Sequence, residues 1–246
     1  MKSTWHNAIS NPCLTMSILS GLCLSFLSIS VKIFPDPNQK DYRKIPIFAI
    51  SLARDIIRRD NIRNELRSQK YTIIDACDGK NLSSTERQIA NKIISSPEYL
   101  KPGQIGCLLS HYKIWKLMIE RKIDFSLIVE DDLYVMYPLN ELFQTLCSIS
   151  NFDIIYLGHW FEFKNGTIIS EFDQFQLRRS VKPYGTHGYL ISLRGAKRLT
   201  ASLERNGTTI PVDNYLVNMN LKGRIVSLSL FPTVIATHSF PSTVNH

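Results

Sequence analysis

The sequence has no Cys-x-x-Cys pair, no run of five or six basic residues, no internal repeat and no low-complexity tract. Each absence closes off a class. Without cysteines at ligand spacing, zinc-ribbon and dithiol redox chemistry drop out. The five cysteines, Cys13, Cys23, Cys77, Cys107 and Cys147, are odd in number and read as reduced thiols in a reducing compartment. Without a basic tract, the net charge of +8, from 29 Lys and Arg against 21 Asp and Glu, is scattered along the chain. Scattered charge argues against a nucleic-acid tail and for phosphate-bearing substrates or an anionic membrane surface. With 44% hydrophobic and 20% charged residues, the 246-residue chain is neither wholly disordered nor a polytopic membrane protein. It has room for one large domain or two small ones.

Charge of either sign is also missing between Lys2 and Lys32. Residues Cys13 to Val31 are rich in Leu and Ile, and their length approaches the roughly 20 residues of a spanning helix. Ser17, Ser20, Ser25, Ser28 and Ser30 dilute the run. No small-x-small site follows it, so a cleaved signal is the weaker reading. Lys32, Lys40, Arg43 and Lys44 put the heavier positive charge on the C-terminal side, which favours a cytoplasmic catalytic part at the inner face of a membrane. Residues 1–44 are therefore expected to be an apolar leader or membrane anchor plus a Pro-containing linker, and 45–246 the main domain.

From Ile45 onward, apolar runs alternate with amphipathic segments. Strands are expected at Ile47–Leu52, Tyr71–Ala76, Phe125–Val129, Asp153–Leu157, Gly188–Ser192, Ile225–Leu230 and Thr233–Ala236. Helices are expected at Arg54–Ser68, Ser84–Ile94, Gly103–Lys122 and Gly195–Leu203. In the first helix, Ile56, Ile57, Ile62 and Leu66 are spaced for one buried face, and Arg58 and Arg63 read as solvated. Phe161 to Arg179 carries no readable period. Alternating strands and helices imply an α/β fold with parallel members in its sheet.

In such sheets ligands bind beyond the carboxyl ends of the strands. One of those ends reads Glu130-Asp131-Asp132. Three adjacent carboxylates disfavour one another's ionised form. A divalent cation, Mn²⁺ or Mg²⁺, would offset that, held by carboxylates together with substrate phosphates. On extended backbone residues i and i+2 point the same way, so Glu130 and Asp132 can share a cation while Asp131 faces elsewhere. A solvated acidic loop is the alternative.

Six segments in register then resemble glycosyltransferase family 25, the group of lipopolysaccharide-type and collagen galactosyltransferases. They are IFAISLARDIIRRDNI from Ile47, DACDGKNL from Asp75, KPGQIGCLLSHYKIWKLMIE from Lys101, FSLIVEDDLYV from Phe125, FDIIYLG with GTHGYLISLRGAKRL, and PVDNYL from Pro211. The resemblance spans about Ile47 to Leu221. Ser51 departs from it, standing where the family commonly has Asn. The resemblance implies a GT-A-like fold, with a mixed, mainly parallel sheet flanked by helices. It further implies a nucleotide-sugar donor such as UDP-galactose and inverting transfer to a glycan or glycolipid such as lipopolysaccharide or lipooligosaccharide. Inversion is a single displacement and needs one general base.

On this reading Glu130 and Asp132 hold the cation, and Ser51, Arg54, Asp131 and His111 serve the donor. Arg59 is a further candidate for donor phosphate. Asp213 is the acceptor-side base, with a helix N-cap as its alternative, and His187, between Gly185 and Gly188, contacts substrate. Gly103 and Gly106 read as turn and close helix packing. Tyr156, Trp160 and Phe161 could stack on a ring, or pack the core. His238 is a late candidate metal ligand. Two other readings stay open: a different metal-dependent nucleotidyl- or phosphotransferase, and a degenerate transferase that only binds.

Overall fold

The strand Ile47–Ser51 (β1) is buried at all five positions, because both of its faces are covered. Ile47 and Ala49 face one hydrophobic cluster, and Phe48 and Ile50 face another. That alternation repeats along the central strands and makes a three-layer α/β/α arrangement. The computed structural model describes residues 45–160 and 164–240. The leader and the linker expected at 1–44 lie outside the described residues, as does Phe161. No helix among the described residues is long and apolar enough to cross a membrane.

The expected strands and helices appear in order with small boundary shifts, joined by three strands and two α-helices that the periodicity did not indicate. After β1 come α1 (Ile56–Glu65), β2 (Tyr71–Asp75), α2 (Ser84–Ile93), α3 (Pro102–Arg121) and β3 (Phe125–Glu130). Then come β4 (Leu133–Val135), α4 (Leu139–Ser148), β5 (Ile154–Tyr156), β6 (Ile168–Phe172), β7 (Phe175–Arg179) and β8 (Gly188–Ser192). The described part ends with α5 (Leu193–Asn206), α6 (Val212–Leu221), β9 (Ser227–Phe231) and β10 (Ile235–Thr237). Ser83 caps α2 in a reciprocal box with Glu86, which accounts for its sharp start.

Eight strands form one sheet in the order β2-β1-β3-β8-β5-β9-β7-β6. β1 pairs in parallel with β2 and β3, and β5 with β9. β8 is antiparallel to β3 and β5, and β7 to β9 and β6. Six of the eight strands thus share one direction, with β8 and β7 opposed. This is the mixed, mainly parallel sheet flanked by helices that the family resemblance implies. β4 and β10 form a separate antiparallel pair, with Ile235 opposite Val135.

α2, α3, α5 and α6 cover one face, where Ile93, Leu108, Trp115, Met118, Leu199 and Leu216 pack on Phe48, Ile128, Tyr156 and Tyr189. On the other face, Ile62 of α1 and Leu142, Phe143 and Leu146 of α4 pack on Ile47, Leu127, Leu190 and Leu228. The buried face of α1 differs from the expected one. Ile56 and Ile57 are 60% and 73% exposed, while Arg58, Ile62 and Leu66 are buried. The helix is turned toward the acidic triplet, which needs a cation beside it. The stretch read as irregular holds the β6–β7 hairpin, at the edge of the sheet.

Candidate active site

The register puts one set of strand ends on a common level. Ser51 is opposite Asp75, Ile50 opposite Glu130, and Val129 opposite Gly188. The carboxyl ends of β1, β2 and β3 therefore meet the start of the reversed β8. There they line a cleft of about 730 Å³, within the roughly 300–1,000 Å³ of ligand sites. Ser51, Arg54, Glu130, Asp131, Asp132, His187 and Asp213 all line it. His111 is fully buried and is not part of its wall.

The Asp78-Gly79 turn and the start of α3 close one side of the cleft. Gly79 and Gly106 lie almost against each other: a Cβ on Gly106 would stand 2.3 Å from the Cys77 carbonyl oxygen. Ser110 Oγ locks this contact, donating to the Gly106 carbonyl at 2.6 Å and accepting from the Cys77 N–H at 2.9 Å. Gly106 thus serves close packing. Arg54 reaches across the turn to Asp78, and hydrogen bonds from Arg54 and Asn81 hold the Asp78 carboxyl down at about 2. Arg59 bonds the Ser51 and Leu52 carbonyls and pairs with Asp75, so it braces the strand end.

Arg58 is the residue that sequence reasoning misplaced. Its side chain is buried, with Nε 2.6 Å from Asp131 Oδ1 and a terminal nitrogen 3.3 Å from Asp132 Oδ2. One guanidinium thus bridges two of the three carboxylates, and Asp131 is turned toward α1. Burial still raises the Asp131 pKa, against hydrogen bonds from Ser51 and Arg58. Asp132 is pushed up to about 7 by burial and by the Glu130 charge, with Arg58 only partly opposing. Its Oδ1 is buried without a hydrogen-bond partner.

Glu130 is held differently. The Thr186 hydroxyl donates to its Oε1, and His111 Nε2 lies 3.4 Å from the same oxygen. Burial opposes the Glu130 charge, but His111 and Thr186 outweigh it and its pKa is lowered. His111 Nδ1 is hydrogen-bonded to the Tyr189 hydroxyl at 2.8 Å, and that oxygen accepts from Trp115 Nε1 at 3.1 Å. The Ser-His pair of α3 therefore buttresses the site from inside the core.

His187, whose carbonyl accepts from the Glu130 N–H at 3.3 Å, and Asp213 also line the cleft. Burial lowers the His187 pKa to about 4, so its ring is neutral near pH 7, and its Nδ1 is unpartnered. Trp160, 48% exposed at the cleft rim, packs its ring 4.8 Å from the His187 ring. The positive φ of Gly185 (93°) turns the chain beneath these rings, where a Cβ would crowd both. Asp213 lies in the first turn of α6, and the cap position belongs to Pro211. The positive end of that helix favours a carboxylate there. Tyr156 packs in the core. His238 lines the cleft with its Nε2 3.6 Å from Glu65.

Three carboxylates, two of them sharing one guanidinium and Asp132 keeping a buried unpartnered oxygen, fit a divalent cation held by Glu130 and Asp132. The chemistry available is anion binding at the strand ends, cation binding at the triplet, and proton acceptance from the α6 side.

The sequence profile of glycosyltransferase family 25, described as an LPS biosynthesis protein, matches residues 44–216. Procollagen galactosyltransferase 1-A of Xenopus laevis is 33% identical over 213 residues, covering 78% of this chain and 33% of that protein. Procollagen galactosyltransferase 2 of Homo sapiens is 31% identical over 190 residues, covering 69% of this chain and 29% of that one. The chain thus spans about a third of the length of these relatives. A solved glycosyltransferase involved in glycosylation of the major capsid of PBCV-1 aligns at a TM-score of 0.44 and 12% identity, covering 80% of this chain and 94% of that one.

Proposed function

The chain belongs to glycosyltransferase family 25, and on that premise we propose that it moves galactose from UDP-galactose to a cell-surface glycan, with inversion. The observation that carries this is the acidic triplet at the sheet's carboxyl edge, which lines a ligand-sized cleft and keeps one buried Asp132 oxygen unpartnered. The names of the relatives support the sugar, and the family description supports lipopolysaccharide or lipooligosaccharide as acceptor. The net charge of +8 suits work beside anionic lipid at the inner face of a membrane.

The residues divide the work. Ser51 and Arg54 bind the nucleotide part of the donor at the end of β1. Glu130 and Asp132 hold a divalent cation, which when bound supplies charge neutralisation at the diphosphate leaving group. Arg58 keeps Asp131 and Asp132 in place and tempers their repulsion. Asp213, in the first turn of α6 where it lines the cleft, takes the proton from the acceptor hydroxyl as that oxygen attacks the anomeric carbon. The galactosyl–phosphate bond breaks as the new glycosidic bond forms, and UDP leaves. His187, neutral near pH 7, hydrogen-bonds substrate without competing for the proton.

The test incubates the full chain with a panel of UDP-sugars and Mn²⁺ and follows UDP release. UDP-galactose should be consumed fastest, and a glycolipid acceptor should gain a β-galactoside. Turnover of a nucleoside triphosphate with no UDP-sugar consumed would instead favour phosphoryl or nucleotidyl transfer.

A further inference from the structure

Cys107 and His111 are four residues apart on α3, so they share one face a single turn apart. Cys107 Sγ, His111 Nε2 and a Glu130 carboxylate oxygen all lie within 4.8 Å of one another. Two features distinguish this from a chance cluster. First, His111 is fully buried, yet its Nε2 has no well-aligned hydrogen-bond partner. The 3.4 Å to Glu130 Oε1 is long beside the roughly 2.9–3.0 Å of a good N–H···O bond. It matches the edge of a tetrahedron: two ligand atoms each about 2.05 Å from an ion, at about 109°, stand about 3.4 Å apart. Second, Tyr189 holds the other ring nitrogen and is itself held by Trp115. That outer partner orients the imidazole as metal-bound histidines are oriented.

We propose that Cys107, His111 and Glu130 bind a zinc-like transition-metal ion through thiolate, imidazole and carboxylate. Cys107 and Glu130 line the cleft. The fourth position therefore opens toward substrate, the pattern of a reactive rather than a purely structural site. Softness separates this ion from the one on Asp132: sulfur and nitrogen select zinc or cobalt over magnesium. Glu130 is common to both. Binding breaks the Cys107 S–H bond, forms a sulfur–metal bond and releases the proton to water, and no electron changes hands. His111 gives its Nε2 lone pair, with Nδ1–H donating to the Tyr189 oxygen. The inference goes beyond sugar transfer and does not require it.

The experiment titrates Co²⁺ into the chelator-treated full chain, without nucleotide, and records the absorption spectrum. A thiolate-to-cobalt charge-transfer band with tetrahedral visible bands is expected, saturating at one ion per chain. Zn²⁺ should erase it, excess Mg²⁺ should not, and Cys107→Ser should lack it. In parallel, wild-type alkylation is mapped by mass spectrometry, which needs no variant to fold. Zn²⁺ should slow modification of Cys107 at least about tenfold. No band, a band that survives in Cys107→Ser, or an unchanged Cys107 alkylation rate would each overturn the proposal. None of these readouts depends on the donor or acceptor, so a failed transferase assay leaves them intact.

Discussion

Replacing Arg58 by Met keeps most of the side chain's bulk and removes the guanidinium from between Asp131 and Asp132. Its nitrogens stand 2.6 and 3.3 Å from those carboxylates, and its side chain is 9% exposed. At an effective dielectric near 20, a unit pair about 4 Å apart is worth about 4 kcal/mol, and the desolvation already spent on burial is not recovered. Breaking such a buried pair on one side costs about 3–5 kcal/mol. For a chain of this size that lowers the thermal midpoint by roughly 6–20 °C. The cost should depend on pH. Burial already raises both carboxyls, Asp132 to about 7, and Arg58 opposes that rise. Without it the folded carboxyls hold protons that the unfolded chain sheds above about pH 4. Stability is then lost as pH rises, so the variant should suffer more at pH 8 than at pH 5. Urea unfolding at the two pH values, with Arg58→Met/Asp131→Asn recovering part of the loss, reads this directly. A pH-independent loss under about 0.5 kcal/mol, typical of a surface substitution, would instead put Arg58 on a solvated helix face.

Asp213→Asn should cut transfer about 10²–10⁴-fold while UDP affinity barely moves, checked by rate and binding measurements on the same preparation. Collapse of both would make Asp213 a donor or structural residue. His187 holds its pKa near 4 by burial, against 6.5 when exposed, so the unfolded chain gains a proton between those values that the folded chain refuses. Stability should fall by up to about 3 kcal/mol as pH drops from 6.5 to 4, and His187→Gln should flatten that part of the urea-midpoint profile. Gly106→Ala places a Cβ 2.3 Å from the Cys77 carbonyl oxygen, and should destabilise by more than about 2 kcal/mol in thermal unfolding. A neutral Gly106→Ala would mean that the turn around Gly79 yields.

What the sequence made legible follows the strength of the local signal. β1, β3 and β8 are short apolar runs buried on both faces, so their bounds emerged within a residue or so. The acidic triplet was visible because three carboxylates ending an apolar strand are costly without a cation. The face of α1 was misread because Ile56 and Ile57 look like core residues. The position of Arg58 is decided by Asp131 and Asp132, 73 and 74 residues later, which no local period reports. β6 and β7 form an edge hairpin with only one strand facing the core, so the pattern is weak. His111 was read as a donor contact because its motif flagged it, while its burial beneath Glu130 arises from packing of α3 against β8. The Cys107-x-x-x-His111 spacing was a readable hint of a shared helix face. Its approach to Glu130 was not, since it depends on the sheet's register.

If Glu130 and Asp132 hold a cation that serves a nucleotide-sugar donor, turnover must depend on both the ion and the carboxylates. The most direct measurement is UDP release from UDP-galactose by wild type and Asp132→Ala, each with Mn²⁺ and with EDTA, alongside unfolding of both proteins. Wild type should turn over with Mn²⁺ and stop in EDTA. Asp132→Ala should be inactive under both conditions yet at least as stable, since losing a buried carboxyl relieves repulsion with Glu130. Full turnover in EDTA, or by folded Asp132→Ala, would contradict the account.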